Sequence, residues 1–465
     1  MNVPFKEGSV FERKGSMDIL VLNSGSSSLK YILYRWEERT ALAKGIVERV
    51  TQGGSSITHE VIGRDKVEIA RDCPTHKEAV DLIMEMLTGD AHSVIDTIDS
   101  IKAVGHRVVH GGESFNKSVI IDDGALRTFK ELADLAPLHN PPNITGIEAA
   151  KKVLPGIPHV AIMDTAWHQT MPDYAYTYAL PYEWYTERHI RRYGFHGTSL
   201  LYCAKRASVL LGQDPFATNL IIAHIGNGVS FNAVKKGVSV DTSMGFTPLE
   251  GGVMGTRSGD HDPAIGPYMM EKEGFTVKEM NTVLNKKSGL LGITGRYIDR
   301  RDIFNASRRG DERARLALDI ETYRGKKYIG AYTAALGHVD ALVFTAGAGE
   351  LSPGIRWKMT EGLKELHIIL DAEKNGLSVT RNAETEITGK GSGTRVFVIP
   401  TDEEFVMVED TVALLEGRYD IHTNFTYSFQ SPDYVNRLRE EAFNREIKDN
   451  PELLRVRVQA PGKDG

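Results

Sequence analysis

Cysteine is nearly missing from this sequence: two residues in 465, Cys73 and Cys203. Two thiols so far apart build neither a disulfide framework nor a metal cluster, so both read as packing residues and a reducing compartment, the cytoplasm, is expected. Long apolar runs are lacking too. No stretch approaches the roughly 20 residues needed to cross a bilayer, and no signal-like apolar region follows Met1. Nor is there an excess of positive charge. The formal net charge of −6 gives no support for binding to nucleic acid or to an anionic membrane. What remains is ordinary in composition, with 41% hydrophobic and 25% charged residues, and the length exceeds one core and suits two domains.

The densest signal lies in residues 219–263. Leu220, Ile221, Ile222 and Ala223 form a short apolar run without helical spacing, which reads as a buried strand. It breaks into Gly226-Asn227-Gly228, where the missing Cβ atoms let backbone N–H groups turn toward an anion. A second strand runs through Val229, Phe231 and Ala233, and Lys235-Lys236-Gly237 reads as a hairpin turn. The polar, glycine-rich segment that follows holds one arginine, Arg257, between Thr256 and Ser258. With little apolar surface to bury, that segment is expected to be ordered by a ligand. Residues 18–33 repeat the grammar: an apolar strand, a turn of small residues, Lys30, then an alternating strand. Each copy heads a half-chain of similar strand and helix content. The pair therefore reads as two related lobes that present phosphate-binding turns to a shared cleft.

Helices are expected over residues 76–89, with Ala79, Leu82, Ile83, Met86 and Leu87 as the apolar stripe; over 125–136, stopped by Pro137; and over 311–339, interrupted at Gly325. The run His139-Asn140-Pro141-Pro142-Asn143 reads as a rigid turn in which Asn143 caps the next helix. A strand over 157–163 delivers Asp164 at its C-terminal end, where open α/β sheets place their chemistry; a turn-forming Asx is the plain alternative. Arg107, at an apolar strand end before Gly111-Gly112, is costly to bury without an anionic partner. It reads as ligand-binding or as half of a structural ion pair. His196 precedes a helix beginning near Thr198, whose N-terminus itself attracts anions. The strand over 341–344 opens into Thr345-Ala346-Gly347-Ala348-Gly349-Glu350, a third glycine turn suited to nucleotide. The last buried strand, 396–399, presents Pro400-Thr401-Asp402-Glu403-Glu404 before a helix carrying Val406 and Leu414. The charged tail carries one expected helix, near 434–445.

The blocks LNSGSSSLK, GHRVVHGGE, APLHNPPN, DTAWHQTMP, RRYGFHGTS, HIGNG, DTSMGFTPLEGGVMGTRSGD and IPTDEE follow one another along the chain, within a likeness that runs from about residue 17 into the 420s. In this order they resemble the acetate kinase (acetokinase) family of the sugar kinase, heat-shock ATPase and actin superfamily. The resemblance implies an α/β fold of two related lobes of the actin-like ATPase (ribonuclease H-like) type, with duplicated mixed β-sheets flanked by helices and a central cleft. It divides the chain into an N-terminal extension (1–16), an N-terminal lobe (17–166, completed by the helix 403–420), a C-terminal lobe with the nucleotide turns (167–402) and a C-terminal extension (421–465). The implied activity is reversible, Mg²⁺-dependent in-line transfer of the γ-phosphoryl group of ATP to acetate, giving acetyl phosphate and ADP, with Mn²⁺ able to replace Mg²⁺. A homodimer with small-molecule substrates, and with no nucleic-acid or membrane partner, is implied as well. The alternatives are a propionate or butyrate kinase, a donor other than ATP, and a non-catalytic nucleotide-dependent regulatory relative. Retention of every charged catalytic position counts against the last.

By the same resemblance the catalytic set is Arg107, His139, Asp164, His196 and Arg257. The arginines stabilise charge, His196 meets the transferring group, His139 faces the phosphoryl or acceptor side, and Asp164 positions its neighbours. Asn23 and Glu403 hold magnesium. Nucleotide falls to Lys30, to His224-Ile225-Gly226-Asn227-Gly228, to Asp299-Arg300-Arg301 and to Gly347-Ala348-Gly349-Glu350-Leu351. Arg107, Val109, Leu138, Phe195 and Pro248 line the acetate pocket. The sequence departs from the family pattern at Asp402, where asparagine is commoner, at Ala348 and Leu351, where isoleucine and asparagine are usual, and in the more basic run from Arg296 to Arg301. The last two departures bear on the phosphoryl donor rather than on the acceptor.

Overall fold

The structure is a computed structural model that describes residues 16–89, 91–136 and 139–462. Nearly all of the expected N-terminal extension, together with Pro137 and Leu138, therefore lies outside the described residues. Contacts divide the chain into two compact units, one of residues 1–106 and 142–160, the other of 107–141 and 161–465.

In the first unit β1 (Asp18–Ser24) and β2 (Ser28–Arg35) form an antiparallel pair, extended by β3 (Thr40–Glu48), β4 (Ser56–Val61) and β5 (Val67–Ala70). On its other side β1 runs parallel to β6 (Ile101–Val108). With the short β7 (Val119–Ile120) and β8 (His159–Met163), the full order is β5-β4-β3-β2-β1-β6-β8-β7. The apolar run of β1 follows from this position, because a central strand with a parallel neighbour is covered on both faces. The helix His76–Thr88 buries the expected stripe in the same core and is capped by Thr75.

Two helices brace the turn between β1 and β2. His76 Nε2 lies 2.8 Å from the Gly25 carbonyl oxygen, and Asn143 Nδ2 donates to the Ser24 carbonyl at 2.7 Å. That second bond corrects the reading of Asn143 as a cap. The helix begins earlier, spanning Asn140–Val153, so Asn143 lies inside it and the prolines occupy its first turn. Proline is tolerated there because the first N–H groups of a helix have no internal partner. Gly146 of this helix is required by closeness, since a Cβ would stand 2.0 Å from Ser24 Oγ. The helix expected over 125–136 is Asp123–Glu131 followed by a 3₁₀ turn, Leu132–Leu135.

The second unit carries β9 (Asn219–Ile225), β10 (Val229–Lys235), β11 (Val238–Thr242), β12 (Ala341–Thr345), β13 (Thr385–Glu386) and β14 (Arg395–Val398) in the order β11-β10-β9-β12-β14-β13. Here β9 pairs antiparallel with β10 and parallel with β12, as β1 does with β2 and β6. The order β3-β2-β1-β6-β8 thus recurs as β11-β10-β9-β12-β14, which is the internal duplication written in hydrogen bonds. Lys236 and Gly237 both take positive φ, the geometry of a tight hairpin. The helix Glu312–Leu336 runs through Gly325 without interruption. Gly325 serves close packing instead, because a Cβ there would lie 2.7 Å from Met359 Sδ. The residues expected as a third glycine turn form a short helix, Ala346–Leu351.

The tail folds onto the second unit. Phe429 and Phe443 are fully buried, Lys205 Nζ donates to the carbonyls of Thr423 and Phe425 at 3.0 Å each, and the helix Arg437–Asp449 forms close to its expected place. No helix among the described residues is long and apolar enough to cross a membrane.

Burial keeps several histidines neutral. It lowers His110, His224 and His422 to about 3 and His159 and His168 to about 4, from an ordinary 6.5. The folded pKa lies below the unfolded one in each case, so this stability is complete above pH 6.5 and is lost as pH falls, because the unfolded chain then binds the protons. Each such group erodes stability by up to about 1.4 kcal/mol per pH unit. Urea midpoints measured by circular dichroism should therefore be flat above about pH 7 and fall steeply below about pH 6; a midpoint that holds to pH 5 contradicts this.

Candidate active site

Three parallel strands of the second unit end together. Thr345 of β12 is level with His224 of β9, and Phe344 is level with Val398 of β14. The segments that follow, Gly226-Asn227-Gly228, Ala346–Leu351 and Pro400-Thr401-Asp402-Glu403, consequently start at one sheet edge, where open α/β sheets bind ligands.

The first segment closes on itself through the Gly226 N–H to the Gly228 carbonyl, 2.9 Å. Arg300 Nη1 donates to the Gly226 carbonyl at 2.8 Å, while its Nε and Nη2 hold Glu321 Oε1 at 2.7 and 2.5 Å. Arg300 thus braces the turn from behind through a buried ion pair. Asp299 caps the helix Arg300–Arg308 and pairs with the exposed Arg301. The Asn227 carbonyl accepts the Gly255 N–H at 3.0 Å, and a Cβ at Gly255 would stand 2.0 Å from Asn227 Oδ1, which interlocks the turn with the glycine-rich loop. In the second segment, Arg356, fully buried, donates to the carbonyls of Gly349 and Glu350 at 2.8 and 2.9 Å. Glu350 is raised by burial, which Arg381 and Arg439 oppose, and Leu351 is exposed.

His196 caps the helix Gly197–Leu211 from a left-handed conformation, φ 61°. Its Nδ1 lies 3.0 Å from Ser230 Oγ, and its ring stacks on that of His224 at 4.1 Å between centroids. Burial first, then the neighbouring His224 and the charges of Arg107 and Arg257, holds its pKa well below the usual value. In the tautomer in which Ser230 donates to Nδ1, the neutral ring carries its proton on Nε2, and Nε2 faces the turn: a Cβ at Gly228 would lie 3.2 Å away. The same Cβ would lie 2.9 Å from Arg257 Nη2. Arg257 Nη1 donates to the Pro248 carbonyl at 2.7 Å, and among the described residues its guanidinium has no carboxylate partner; burial alone lowers its pKa. A half-buried cation without a carboxylate partner among the described residues, beside a neutral imidazole and a glycine turn, makes this a candidate anion site.

Arg107 sits one step further along. Its Nε and Nη2 hold Asp164 at 3.0 and 2.6 Å, leaving Nη1 outside the pair. Burial would lower this guanidinium's pKa, but Asp164 and then Glu403 raise it on balance. Asp164 is fixed by its own backbone, taking the Gly197 N–H on its carbonyl at 3.1 Å. His139 is exposed as a residue, yet desolvation, then Arg257 and Arg107, lower its pKa. Phe195 is buried and Val109 packs against the same core, while Leu138 lies outside the described residues. In the first unit, Asn23 and Lys30 face each other across β1 and β2, with Lys30 exposed.

The candidate magnesium donors are an amide oxygen, on Asn23, and a carboxylate, on Glu403. Such hard oxygens suit Mg²⁺, which completes its shell with water and phosphate. Enclosure and the charges of Glu403 and Asp402 raise Glu404 to about 7. Since Glu404 keeps an exposed face, the repulsion between carboxylates is the more durable cause, and it favours a cation there.

Four groups went unpredicted: Ser230 and Ser199, which hold the ring nitrogens of His196 and His224, and Glu321 and Arg356, which brace two segments. A serine amid the buried alternation of β10 was a readable signal; the others depend on long-range pairing.

Duplicated mixed sheets flanked by helices, the second with three segments starting at one edge, are those of a phosphotransferase of the actin-like ATPase fold. The model of the acetokinase family matches residues 18–409. Acetate kinase of Treponema pallidum is 59% identical over 444 residues, covering 95% of this chain and 99% of that protein. The crystal structure of Porphyromonas gingivalis acetate kinase superposes with a TM-score of 0.82 at 44% identity, over 86% of this chain and all of that one. A propionate kinase from Francisella tularensis gives 0.79 at 40% identity, over 85% and 98%. The chain belongs to the acetokinase family.

Arg257→Ala should lower kcat on the order of 10³-fold with little change in KM, as expected for a contact realised in the transition state. Gly228→Ala should also lower kcat, because its methyl displaces both Arg257 and His196. Steady-state kinetics, with circular dichroism as the folding control, checks both; a raised KM with normal kcat would contradict the role.

Proposed function

We infer that the protein is an acetate kinase, transferring the γ-phosphoryl group of ATP to acetate in a reversible, in-line reaction. One observation carries the reading: Arg257, unpaired among the described residues, converges with His196 Nε2 on the Gly228 turn. A carboxylate is already ionised at neutral pH, so the acceptor needs no general base. The task left to the protein is to align two anions and to neutralise the oxygens of the group in flight. Arg257 and Arg107 supply positive charge, and His196 donates a hydrogen bond from a neutral ring. Asp164 positions Arg107 through the two-pronged ion pair, and His139 lies on the phosphoryl or acceptor side. The Gly226–Gly228 turn, the Gly347–Leu351 segment and Lys30 take the nucleotide. Asp299 and Arg301 border it, and Arg300 acts through the turn it braces.

Asn23 and Glu403 would hold Mg²⁺. When bound, the ion offsets charge on the phosphate oxygens. We extend the reading to a cytoplasmic homodimer, which the resemblance implies and which the exposed Tyr174, Leu180, Tyr182 and Trp184 support as a surface with apolar area to cover.

The acceptor pocket is assigned to Val109, Phe195, Pro248 and Leu138, with Arg107 on the carboxylate. A methyl-sized pocket discriminates by about 1–3 kcal/mol per methylene, so selectivity should be graded. A coupled assay of acyl phosphate formation should give acetate best, propionate weaker and butyrate poor, with ATP as donor. Val109→Ala should improve propionate relative to acetate. Butyrate matching acetate in kcat/KM would favour a longer-chain acyl kinase, the class of the Francisella relative extended by one carbon. Turnover with pyrophosphate but not ATP would overturn the donor.

A further inference from the structure

The helix Arg437–Asp449 lies beyond residue 409, where the family match ends. One end of it is anchored at a distance from the candidate site. Phe443 is buried with Ala383 and Leu453, and Glu446 accepts from Thr380 Oγ1 at 2.6 Å and from Asn382 Nδ2 at 2.7 Å. The other end grips the segment that leads into Glu403. Arg439 Nη1 and Nη2 donate to the carbonyls of Pro400 and Thr401 at 2.7 and 2.6 Å. Asn436 Nδ2 donates to Asp402 Oδ2 at 2.8 Å, and Arg439 Nη2 lies 3.7 Å from the same oxygen.

The two side chains that meet are helix caps. Asp402 Oδ1 accepts the Phe405 N–H at the start of Glu403–Leu415, and Asn436 Oδ1 accepts the Arg439 N–H at the start of Arg437–Asp449. Stacking of Tyr434 on Phe405, 5.8 Å between centroids, closes the contact. Three acceptors of residues 400–402, the carbonyls of Pro400 and Thr401 and Asp402 Oδ2, are therefore oriented from the tail, and Glu403 is the next residue. Asp402 uses its two oxygens separately, one for the Phe405 N–H and one for Asn436, where asparagine would turn an N–H₂ toward the Asn436 N–H₂, so Asp402 is matched to this tail.

We propose that Asn436 and Arg439 are positioning residues that fix the Pro400–Asp402 segment and thereby set Glu403 for the metal. This rests on the reading of Glu403 as a magnesium donor. Residues that orient a ligand from behind typically alter metal affinity or activity by about 10-fold or more.

The test uses Asn436→Asp in the full chain. Aspartate caps a helix as well as asparagine does, so the tail helix is kept, but the donor to Asp402 is replaced by a second carboxylate. In metal-free protein, amide exchange over residues 400–405 should quicken while exchange within 439–449 stays as in the unaltered protein. With ATP and acetate, the Mg²⁺ concentration for half-maximal rate should rise on the order of 10-fold at unchanged KM for acetate. The swapped pair Asp402→Asn with Asn436→Asp restores one donor and one acceptor and should bring both readouts back. Arg439→Met is the severe companion, read by the same exchange measurement. Unchanged exchange over 400–405 and an unchanged Mg²⁺ requirement in Asn436→Asp overturn the proposal, as does a fall in melting temperature alone. Glu403→Gln separates the two readings. If it leaves the Mg²⁺ requirement untouched, the assignment of Glu403 fails; if it raises the requirement while the tail variants do not, the positioning role fails.

Discussion

The level register of β9, β12 and β14 is the constraint on which the second unit depends. Parallel pairing fixes Thr345 beside His224 and Phe344 beside Val398, so the chain must turn three times at one edge. Parallel strands also demand cover on both faces, which the apolar runs of these strands and the helices around them supply. The turns can then be polar and glycine-rich without weakening the core, because the strands and helices carry most of the apolar packing.

The electrostatics at that edge separate three arginines by what surrounds them. Arg300 is spent on Glu321 and the Gly226 carbonyl, and Arg107 shares its charge with Asp164, while Arg257 meets only a carbonyl. Only the last has a charge uncommitted among the described residues. Burial meanwhile keeps His196 and His224 neutral, their pKa values lowered further by Arg107. Neutral rings add donors without adding charge, so a guanidinium and two imidazoles can sit together before an anion arrives. Were either ring charged, its repulsion with Arg107 would have to be offset.

What the sequence disclosed followed from local chemistry. The glycine turn after β9, the duplication, the stripe of His76–Thr88 and the helix behind His196 all rest on spacing or on single residues with few conformational options. The misreadings share another cause. Asn143 reads as a cap because its partner, the Ser24 carbonyl, is distant in sequence; Gly325 reads as a break because Met359, which passes over it, is distant in sequence too. The segment after β12 reads as a glycine turn from Gly347 and Gly349, whereas hydrogen bonds from Arg356, which no local pattern announces, tie the carbonyls of Gly349 and Glu350 into helical order. Asp402, a mild departure from the family pattern, acquires a physical reason only when Asn436 stands opposite it.

Backbone strain at the site has a similar long-range origin. His196, at φ 61°, and Ala346, at φ 63°, take left-handed conformations that cost a residue with a Cβ about 1 kcal/mol or more. At His196 glycine is the next residue, so exchanging the two would relieve the strain on paper. The exchange is barred, because a Cβ at Gly197 would stand 2.1 Å from the Asp164 carbonyl oxygen and 2.9 Å from Trp167 Cβ. Gly197 must be bare for its N–H to reach Asp164, and residue 196 must carry a ring for Ser230 and His224 to orient. Two adjacent demands, one for a side chain and one for none, leave the strain at His196 with nowhere else to go.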